Sequence, residues 1–268
     1  MNSGGLSDAV FAQFQQWIYQ RAGIHMAPSK RALVAGRLAG RLRHHNLADY
    51  SQYFAMVSSG VGAPEAQVAL DLLTTNETYF FREPKHFDWL RQQLPTLQRP
   101  GRTLRVWSAA CSSGEEPYSL AMLLADCLGD KPWEILGTDI STRVLEKAAR
   151  GHYPMERARN LSHEHLSRYC LKGTGKQAGT LLVDKHLRER VQFMQVNLNE
   201  RLPRMGEFDV ILLRNVLIYF DPPTKQRVVE RLLPFLRSGG AFLVSHSESL
   251  NGVTEALTMV SPSIYRKP

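Results

Sequence analysis

The feature that most constrains the fold is an alternation of short apolar runs and amphipathic segments, which begins at about residue 103. The apolar runs, each followed by polar or turn-forming residues, are LRVWSAAC, WEILGTD, VQFMQVN, FDVILLRN and GAFLVSHSE. Helical segments such as EEPYSLAMLLADCL and PTKQRVVERLLPFL separate several of them. This alternation predicts an α/β fold with a doubly wound parallel sheet. Ligands of such sheets bind beyond the carboxyl ends of the strands, so we expect functional residues just after each strand.

The chain before this alternation has a different pattern. Residues 1–75 contain segments of helical spacing only, beginning with a helix for which Ser7 is the predicted N-cap. We therefore predict an all-α domain over residues 1–75, a linker and entry segment over 76–102, and the α/β domain over 103–268.

The second predicted helix of the all-α domain, KRALVAGRLAGRLRHHNL, is strongly basic. Its apolar positions recur every four residues and should face the core: they are Val34, Leu38 and Leu42. A run of charge is usually a solvated helix face, but no acidic residue occurs between positions 30 and 45. We therefore also predict a docking surface for an acidic partner, carried by Arg37, Arg41 and Arg43.

The overall composition narrows the class of protein. The 268 residues include 33 Lys and Arg against 25 Asp and Glu, a net charge of +8, which fits either an acidic protein partner or a nucleic-acid or membrane surface. The three cysteines do not form a Cys-x-x-Cys pair, so we expect no disulfide scaffold and no metal, and a reducing, cytoplasmic setting. Charged residues interrupt the most apolar stretch before it reaches the ~18 residues of a membrane helix, so we expect no membrane insertion.

One segment interrupts the alternation of strands and helices. Residues 166–190 hold a glycine-rich turn between two short runs that could pair as a hairpin. Its length favours a small β subdomain inserted in the sheet domain over a plain crossover loop.

The turn after the first strand indicates what kind of cofactor it can bind. It is A-A-C-S-S-G-E-E, with Gly114 as its only glycine and Glu115 and Glu116 where the next helix should begin. A dinucleotide site has three spaced glycines there, and two carboxylates would repel a diphosphate. A cofactor without phosphate and with positive charge, such as S-adenosylmethionine, is compatible with this turn.

Asp139 ends the second predicted strand, about 25 residues after the turn. A carboxylate at this place can accept hydrogen bonds from the hydroxyl groups of a ribose. The alternative role is that of N-cap for the helix that follows, and the two roles are compatible.

Several segments together resemble the CheR family of chemotaxis receptor methyltransferases. They are TTNETYFFREPKHF (74–87), RVWSAACSSGEEPYSLAM (105–122), GTDISTRVLEKAARGHYP (137–154), QVNL (195–198), FDVILLRNVLIYF (208–220) and GGAFLVSHSESL (239–250). The segments occur in the order that the family has, and the combination of GEEPYS with RNVLIYF is the most specific part. The resemblance is least informative after Leu250.

The resemblance implies a helical amino-terminal domain followed by a Rossmann-like methyltransferase domain with a small antiparallel β subdomain. The implied reaction transfers a methyl group from S-adenosylmethionine to glutamate side chains of membrane chemoreceptors. Its products are S-adenosylhomocysteine and glutamate methyl esters. The implied partner is the cytoplasmic helical region of a chemoreceptor, and some relatives also bind a receptor carboxyl-terminal pentapeptide at the β subdomain.

The resemblance also assigns roles to individual residues. The positions that match cofactor-binding residues of the family are Asn76, Thr78, Arg82, Glu116, Asp139, Asn197, Leu198, Arg214 and Asn215. Arg82 and Tyr219 match the two residues beside the transferred methyl group, and we expect them to be the catalytic residues.

Physical chemistry supports this assignment of roles. A glutamate carboxylate has an unperturbed pKa of about 4.3 and is already a nucleophile at neutral pH, so the reaction needs no general base. Catalysis then consists of holding a carboxylate oxygen in line with the methyl group. Arg82 would attract and orient the carboxylate, and the Tyr219 hydroxyl would donate to one of its oxygens.

Two other functions compete with this one. The charge of +8 would also suit a nucleic-acid methyltransferase, but the segment RNVLIY stands where such enzymes often carry a D/N-P-P-Y/F motif. The third candidate is a docking module that binds the cofactor without turnover, and the presence of Arg82 and Tyr219 argues against it. We therefore expect no nucleic-acid partner, and no interface motif speaks against a monomer.

Overall fold

A computed structural model describes residues 5–59 and 63–268. The chain divides into two compact units. The first, which we call the helical unit, comprises Met1–Thr75 and Tyr219–Lys225, and the second, the sheet unit, comprises Asn76–Ile218 and Gln226–Pro268. Within the described residues, no helix has the length and apolar character needed to cross a membrane.

The described residues of the helical unit form four amino-terminal α-helices. They are α1 (Asp8–Ala22), α2 (Arg31–His44), α3 (Tyr50–Ser58) and α4 (Ala63–Leu73). The Ser7 side chain accepts a hydrogen bond from the Val10 amide at 3.3 Å, as predicted for an N-cap. The predicted apolar face of α2 is buried: Val34 and Leu38 are fully enclosed, and Leu42 nearly so.

The main sheet of the sheet unit has seven strands in the order β6-β2-β1-β7-β8-β10-β9. They are β1 (Leu104–Ser108), β2 (Trp133–Asp139), β6 (Val191–Gln195), β7 (Phe208–Leu212), β8 (Leu236–Leu243), β9 (Thr258–Ser261) and β10 (Ile264–Arg266). β6, β2, β1, β7 and β8 run parallel to one another, and β10 runs antiparallel to β8 and β9. The predicted α/β architecture is therefore confirmed, with a mixed rather than purely parallel sheet.

Helices accompany these strands along the chain. They are α5 (Pro84–Leu97), α6 (Glu115–Leu128), α7 (Thr142–Arg150), α8 (His163–Tyr169), α9 (Lys185–Arg188) and α10 (Pro222–Leu232). The sequence does not predict β9 and β10, which lie after Leu250, where the resemblance is weakest. Ile264 and Tyr265 of β10 are buried and pair with Leu243 and Phe242 of β8, whereas β9 is an exposed edge strand that pairs with β10. Pairing with the sheet therefore stabilises two short strands with little pattern of their own.

A second, three-stranded antiparallel sheet has the order β3-β5-β4. Its strands are β3 (His152–Pro154), β4 (Cys170–Lys172) and β5 (Thr180–Val183). The antiparallel hairpin β4–β5 lies inside the predicted insertion at 166–190, and β3 joins the sheet from a position earlier in the chain.

Candidate active site

The order of the strands creates a switch point between β1 and β7. The chain passes from β1 to β2 and β6 on one side, and from β7 to β8 on the other. Residues after the two strands meet there, because the Ser108 hydroxyl donates to Glu116 Oε1 at 2.7 Å and Arg214 Nη1 donates to Glu116 Oε2 at 2.6 Å. Ligand sites of doubly wound sheets lie at such a point.

The turn after β1 is tightly packed. Gly114 has a φ of 95°, and a Cβ at this position would lie 2.8 Å from the Cβ of Ala148 and 2.8 Å from the Tyr153 hydroxyl. The Tyr153 hydroxyl also donates to the Ser113 carbonyl at 2.7 Å. The single glycine of the turn therefore serves a close approach of α7 and β3, and the turn has no second glycine to admit a phosphate.

Asp139 lies at the end of β2 beside this turn. Its Oδ2 accepts the Ser112 amide at 2.9 Å and its Oδ1 accepts the Ser141 amide at 3.0 Å, and only 7% of the residue is exposed. The N-cap of α7 is Ser141 and not Asp139. Asp139 thus holds the β1 turn against the β2 turn, with its carboxylate at the site edge of the sheet.

The linker segment from Asn76 to Arg82 contributes three of the predicted site residues. The Asn76 carbonyl accepts the Ser112 hydroxyl at 2.8 Å, which fastens the linker to the β1 turn. Thr78 is buried, and its carbonyl accepts Arg157 Nη1 at 2.7 Å. Arg82 Nη1 donates to the Glu77 carbonyl at 2.9 Å.

Arg214, just after β7, connects three of these segments. Its side chain is only 2% exposed and pairs with Glu116 and, through Nη2 at 3.0 Å, with Glu83 Oε2. Nη2 also donates to the Arg82 carbonyl. The structure therefore joins the linker, α6 and the end of β7 through one buried guanidinium, whose Nε has no hydrogen-bond partner among the described residues.

Two carboxylates that the sequence analysis did not select complete this network. Burial opposes ionisation of Glu83, but the Arg214 guanidinium and the Ser245 hydroxyl outweigh it and lower the pKa of Glu83 to about 2. Burial raises the pKa of Glu248, although its oxygens accept the amides of Asn215, Ser245 and Ile218. Both residues lie in motifs quoted above. Because Glu248 follows the end of β8, its position after a strand is a sequence signal that could have identified it, whereas Glu83 does not follow a strand.

Asn215 and the residues after β6 form turns at the ends of β7 and β6. Asn215 has a left-handed φ of 58°, and its side-chain amide donates to Ser245 Oγ at 2.8 Å. The Asn197 side chain donates to Glu200 Oε1 at 2.9 Å and accepts the Asn199 amide, which closes the turn after β6. Leu198 beside it is buried.

The two predicted catalytic residues lie in different units. Arg82 belongs to the sheet unit, whereas Tyr219 belongs to the helical unit. The Tyr219 side chain is half-buried, its carbonyl accepts the His25 amide at 2.8 Å, and Phe220 forms an antiparallel bridge with Ile24.

The three arginines of the predicted docking surface differ in their surroundings. Arg41 is paired with Glu65 of α4 through Nε at 2.7 Å and Nη2 at 2.6 Å. Arg37 donates to the carbonyls of Leu73 and Thr74 at 2.9 and 3.1 Å. Arg43 is exposed. Acids are absent from α2 itself, but α4 supplies one.

The only group of three His, Cys, Asp or Glu side chains within the described residues that could hold a metal ion is Glu83, His86 and His246. Arg214 already neutralises Glu83, and Ser263 Oγ lies 2.8 Å from His86 Nε2 and 3.0 Å from His246 Nδ1. Burial lowers the pKa of His86 to about 3, so its ring is neutral. The protein's own groups satisfy most of this cluster, and the absence of a metal stays a prediction.

Two protein-family models match the chain. CheR methyltransferase, all-alpha domain, matches residues 9–74, and CheR methyltransferase, SAM binding domain, matches residues 76–266. The chemotaxis protein methyltransferase of Escherichia coli K12 is 42% identical over 97% of this chain and 91% of its own length. Chemotaxis protein methyltransferase 2 of Pseudomonas aeruginosa is 41% identical over 95% of this chain and 91% of its length. The chemotaxis protein methyltransferase of Borreliella burgdorferi is 33% identical over 93% of this chain and 91% of its own length.

Proposed function

Because the chain belongs to the CheR methyltransferase family, and is thus an S-adenosylmethionine-dependent methyltransferase of chemotaxis, we propose that it esterifies glutamate side chains of membrane chemoreceptors. The observation that carries the proposal is the network at the switch point, in which Arg214 ties the Arg82 carbonyl to Glu116. Because ligands of doubly wound sheets bind at the switch point, an arginine of the linker that is held there would lie beside the cofactor.

The residues at this edge fit S-adenosylmethionine. Glu116 and Asp139 place two carboxylates at this edge of the sheet, and the buried Arg214 pairs with Glu116, so the two carboxylates outnumber that cation. A sulfonium and an ammonium suit such a place, whereas a diphosphate does not. The residues that would hold the cofactor are Asn76, Thr78, Arg82, Glu116, Asp139, Asn197, Leu198, Arg214 and Asn215. The cofactor supplies a methyl group on a positively charged sulfur.

The protein's part of the mechanism is to place a carboxylate. Within the described residues Arg82 forms no ion pair, and its guanidinium lies 5.5 Å from the centre of the Tyr79 ring. Its charge is therefore available to attract an incoming glutamate, and the Tyr219 hydroxyl would donate to the oxygen that does not attack. The substrate carboxylate is ionised at neutral pH, so neither residue has to remove a proton.

Labelled methyl transfer to chemoreceptor-containing membranes of the host tests the proposal. We expect base-labile label, because alkali releases methanol from a glutamate methyl ester and leaves a methylated amine intact. Calorimetric titration with S-adenosylhomocysteine should show binding that Asp139→Ala weakens. Base-stable label would contradict the ester, and absence of binding would contradict the cofactor site.

Two surfaces would recognise the receptor. The exposed Arg43 on α2 suits the acidic helical region of a receptor, while Arg37 and Arg41 would contribute from partly buried positions.

The second surface is in the small sheet, where β4 is an edge strand that presents the exposed Leu171. His152, Lys172 and Thr174 help line a cleft of about 430 Å³ there. A receptor carboxyl-terminal pentapeptide could add a strand there, and failure of such a peptide to bind in calorimetry would refute this.

The remaining parts of the proposal concern the state and place of the protein. Cys111, Cys127 and Cys170 are free thiols, in keeping with a reducing, cytoplasmic location. We further propose a monomer that needs no metal. Light scattering and activity in the presence of a chelator test these two points.

A further inference from the structure

Arg82 lies between two residues with left-handed backbone conformations. Phe81 has a φ of 52° and Glu83 a φ of 59°, and neither is a glycine. Such a conformation costs about 1–2 kcal/mol per residue, more for a bulky side chain, so neighbouring contacts must hold it. Within the part of the chain that the structure describes, six non-glycine residues have positive φ, and four of them lie around this site: Phe81, Glu83, Ser112 and Asn215.

Phe81 is fixed from the side of α6 and α8. Its amide donates to Ser119 Oγ at 2.9 Å, and its ring stacks on His165 with centroids 4.8 Å apart. Its ring also contacts that of Phe87 at 4.9 Å. These contacts hold one side of the turn.

Glu83 is fixed from the side of β7 and β8. Its carboxylate accepts Arg214 Nη2 at 3.0 Å, the Ser245 hydroxyl at 2.8 Å and the His246 amide at 3.3 Å. The left-handed turn therefore directs the carboxylate nearest to Arg82 in the chain toward Arg214 instead. Arg214 in turn holds the Arg82 carbonyl.

We propose that Glu83 is a positioning residue, whose carboxylate anchors the left-handed turn on Arg214 and Ser245. It thereby presents to the incoming carboxylate an Arg82 guanidinium that has a backbone hydrogen bond but, within the described residues, no ion pair. The inference rests on the proposed function. Displacement of a reacting group by about 1 Å can cost ~10²-fold in rate, so loss of the anchor should reduce kcat while the cofactor still binds.

Two variants and a control test the role of the carboxylate. Glu83→Gln keeps one of the two acceptor oxygens and removes the charge. Glu83→Gly removes the whole side chain but adopts a positive φ without strain. Glu134→Gln is the matched control, because it removes a Glu–Arg pair, with Arg105, at the opposite end of the same sheet. The readouts are kcat with receptor membranes, affinity for S-adenosylhomocysteine, and amide hydrogen exchange of the peptide 77–84.

We expect kcat to fall about tenfold in Glu83→Gln and about 10²-fold in Glu83→Gly, with cofactor affinity within about threefold of wild type. Exchange in 77–84 should rise in both variants, and Glu134→Gln should match wild type in every readout. A full rate in Glu83→Gly, or a loss of rate that only follows loss of cofactor affinity, would overturn the inference.

The exchange measurement needs no substrate, so it separates this inference from the proposed function. An inactive wild type would refute receptor methylation, and unchanged exchange in Glu83→Gly would refute the anchoring by Glu83. An active wild type with fully active Glu83 variants would refute the anchoring alone.

Discussion

Both units contain a buried or half-buried arginine paired with glutamate, but the two pairs are built differently. In the helical unit, Arg41 meets one carboxylate, that of Glu65, through two hydrogen bonds. In the sheet unit, Arg214 divides its donors between two carboxylates and a carbonyl. The first cluster has balanced charges, whereas the second keeps an excess negative charge.

The two arginine–glutamate clusters also differ in the elements that surround them. The Glu65 carboxylate also accepts the Tyr53 hydroxyl at 2.7 Å and contacts His45 at 2.9 Å, and these groups fix regular helices against one another. The cluster of Arg214, Glu83 and Glu116 holds loops together. Its member Glu83 and the adjacent Asn215 have left-handed backbone conformations. A charge-balanced cluster between regular helices stabilises packing, whereas a cluster with excess charge that holds strained loops is typical of a functional site.

The largest effect should come from Arg214→Met. The substitution leaves Glu83 and Glu116 without their cation, and breaking a buried ion pair costs about 3–5 kcal/mol. We expect the sheet unit to lose that much stability in urea denaturation and to lose affinity for S-adenosylhomocysteine. Arg214→Lys keeps the positive charge but cannot contact all three partners, so its stability and its affinity for S-adenosylhomocysteine should lie between those of wild type and Arg214→Met. A loss below about 1 kcal/mol would show that the cluster is not structurally required.

Arg41→Met should affect the helical unit alone. The guanidinium is 23% exposed, so the loss should be smaller, about 2–3 kcal/mol, and confined to residues 5–75 in peptide-resolved hydrogen exchange. Affinity for S-adenosylhomocysteine should stay at the wild-type value. If it fell together with stability, the division between a packing cluster and a site cluster would be wrong.

Acid should weaken both clusters, each through its own glutamate. Burial opposes ionisation of Glu65, but hydrogen bonds from Arg41, Tyr53 and His45 outweigh it and lower its pKa to about 2, the same value as for Glu83. Each depressed pKa contributes stability that is complete above the unfolded pKa of about 4.3 and disappears as pH falls toward 2, on the order of 2–3 kcal/mol.

Denaturation at several pH values, with hydrogen exchange to separate the units, checks this. Glu65→Gln should flatten the acid dependence between about pH 5 and 2 in the helical unit only, and Glu83→Gln should do so in the sheet unit only. If either variant flattened the acid dependence of stability equally in both units, the two clusters would be coupled.

Much of the fold and part of the site follow from local sequence. Strand-end positions identify Glu116, Asp139 and Arg214, because parallel strands bring their carboxyl ends to one edge whatever the intervening helices do. The Arg41–Glu65 pair is not predictable in this way, since the partners lie on separate helices and the basic run has no acid of its own. The left-handed conformation of Glu83 also has no local signal, because tertiary contacts impose it on a residue that does not favour it.

Backbone strain should also separate the two regions. Gly114→Ala introduces a Cβ at a φ of 95° that would meet Ala148 and Tyr153, so we expect a loss of about 1–3 kcal/mol and weaker cofactor binding. The control is Gly36→Ala inside α2, where a Cβ meets nothing within 4 Å and should add about 0.5–1 kcal/mol of stability. A neutral Gly114→Ala would show that the turn after β1 can relax.

The smallest change in stability, with a separate effect on function, should come from Arg43→Glu. Arg43 is exposed, so the free energy of unfolding should change by less than about 0.5 kcal/mol, whereas the KM for receptor should rise severalfold. Charge reversal at Arg41 cannot make this test, because it would place two carboxylates together at Glu65 and unfold the helical unit. Arg21→Glu, an exposed position at the end of α1, is the matched control. An equal rise in KM for both variants would reduce the docking surface to a general effect of net charge, and no rise for either would remove α2 from receptor recognition.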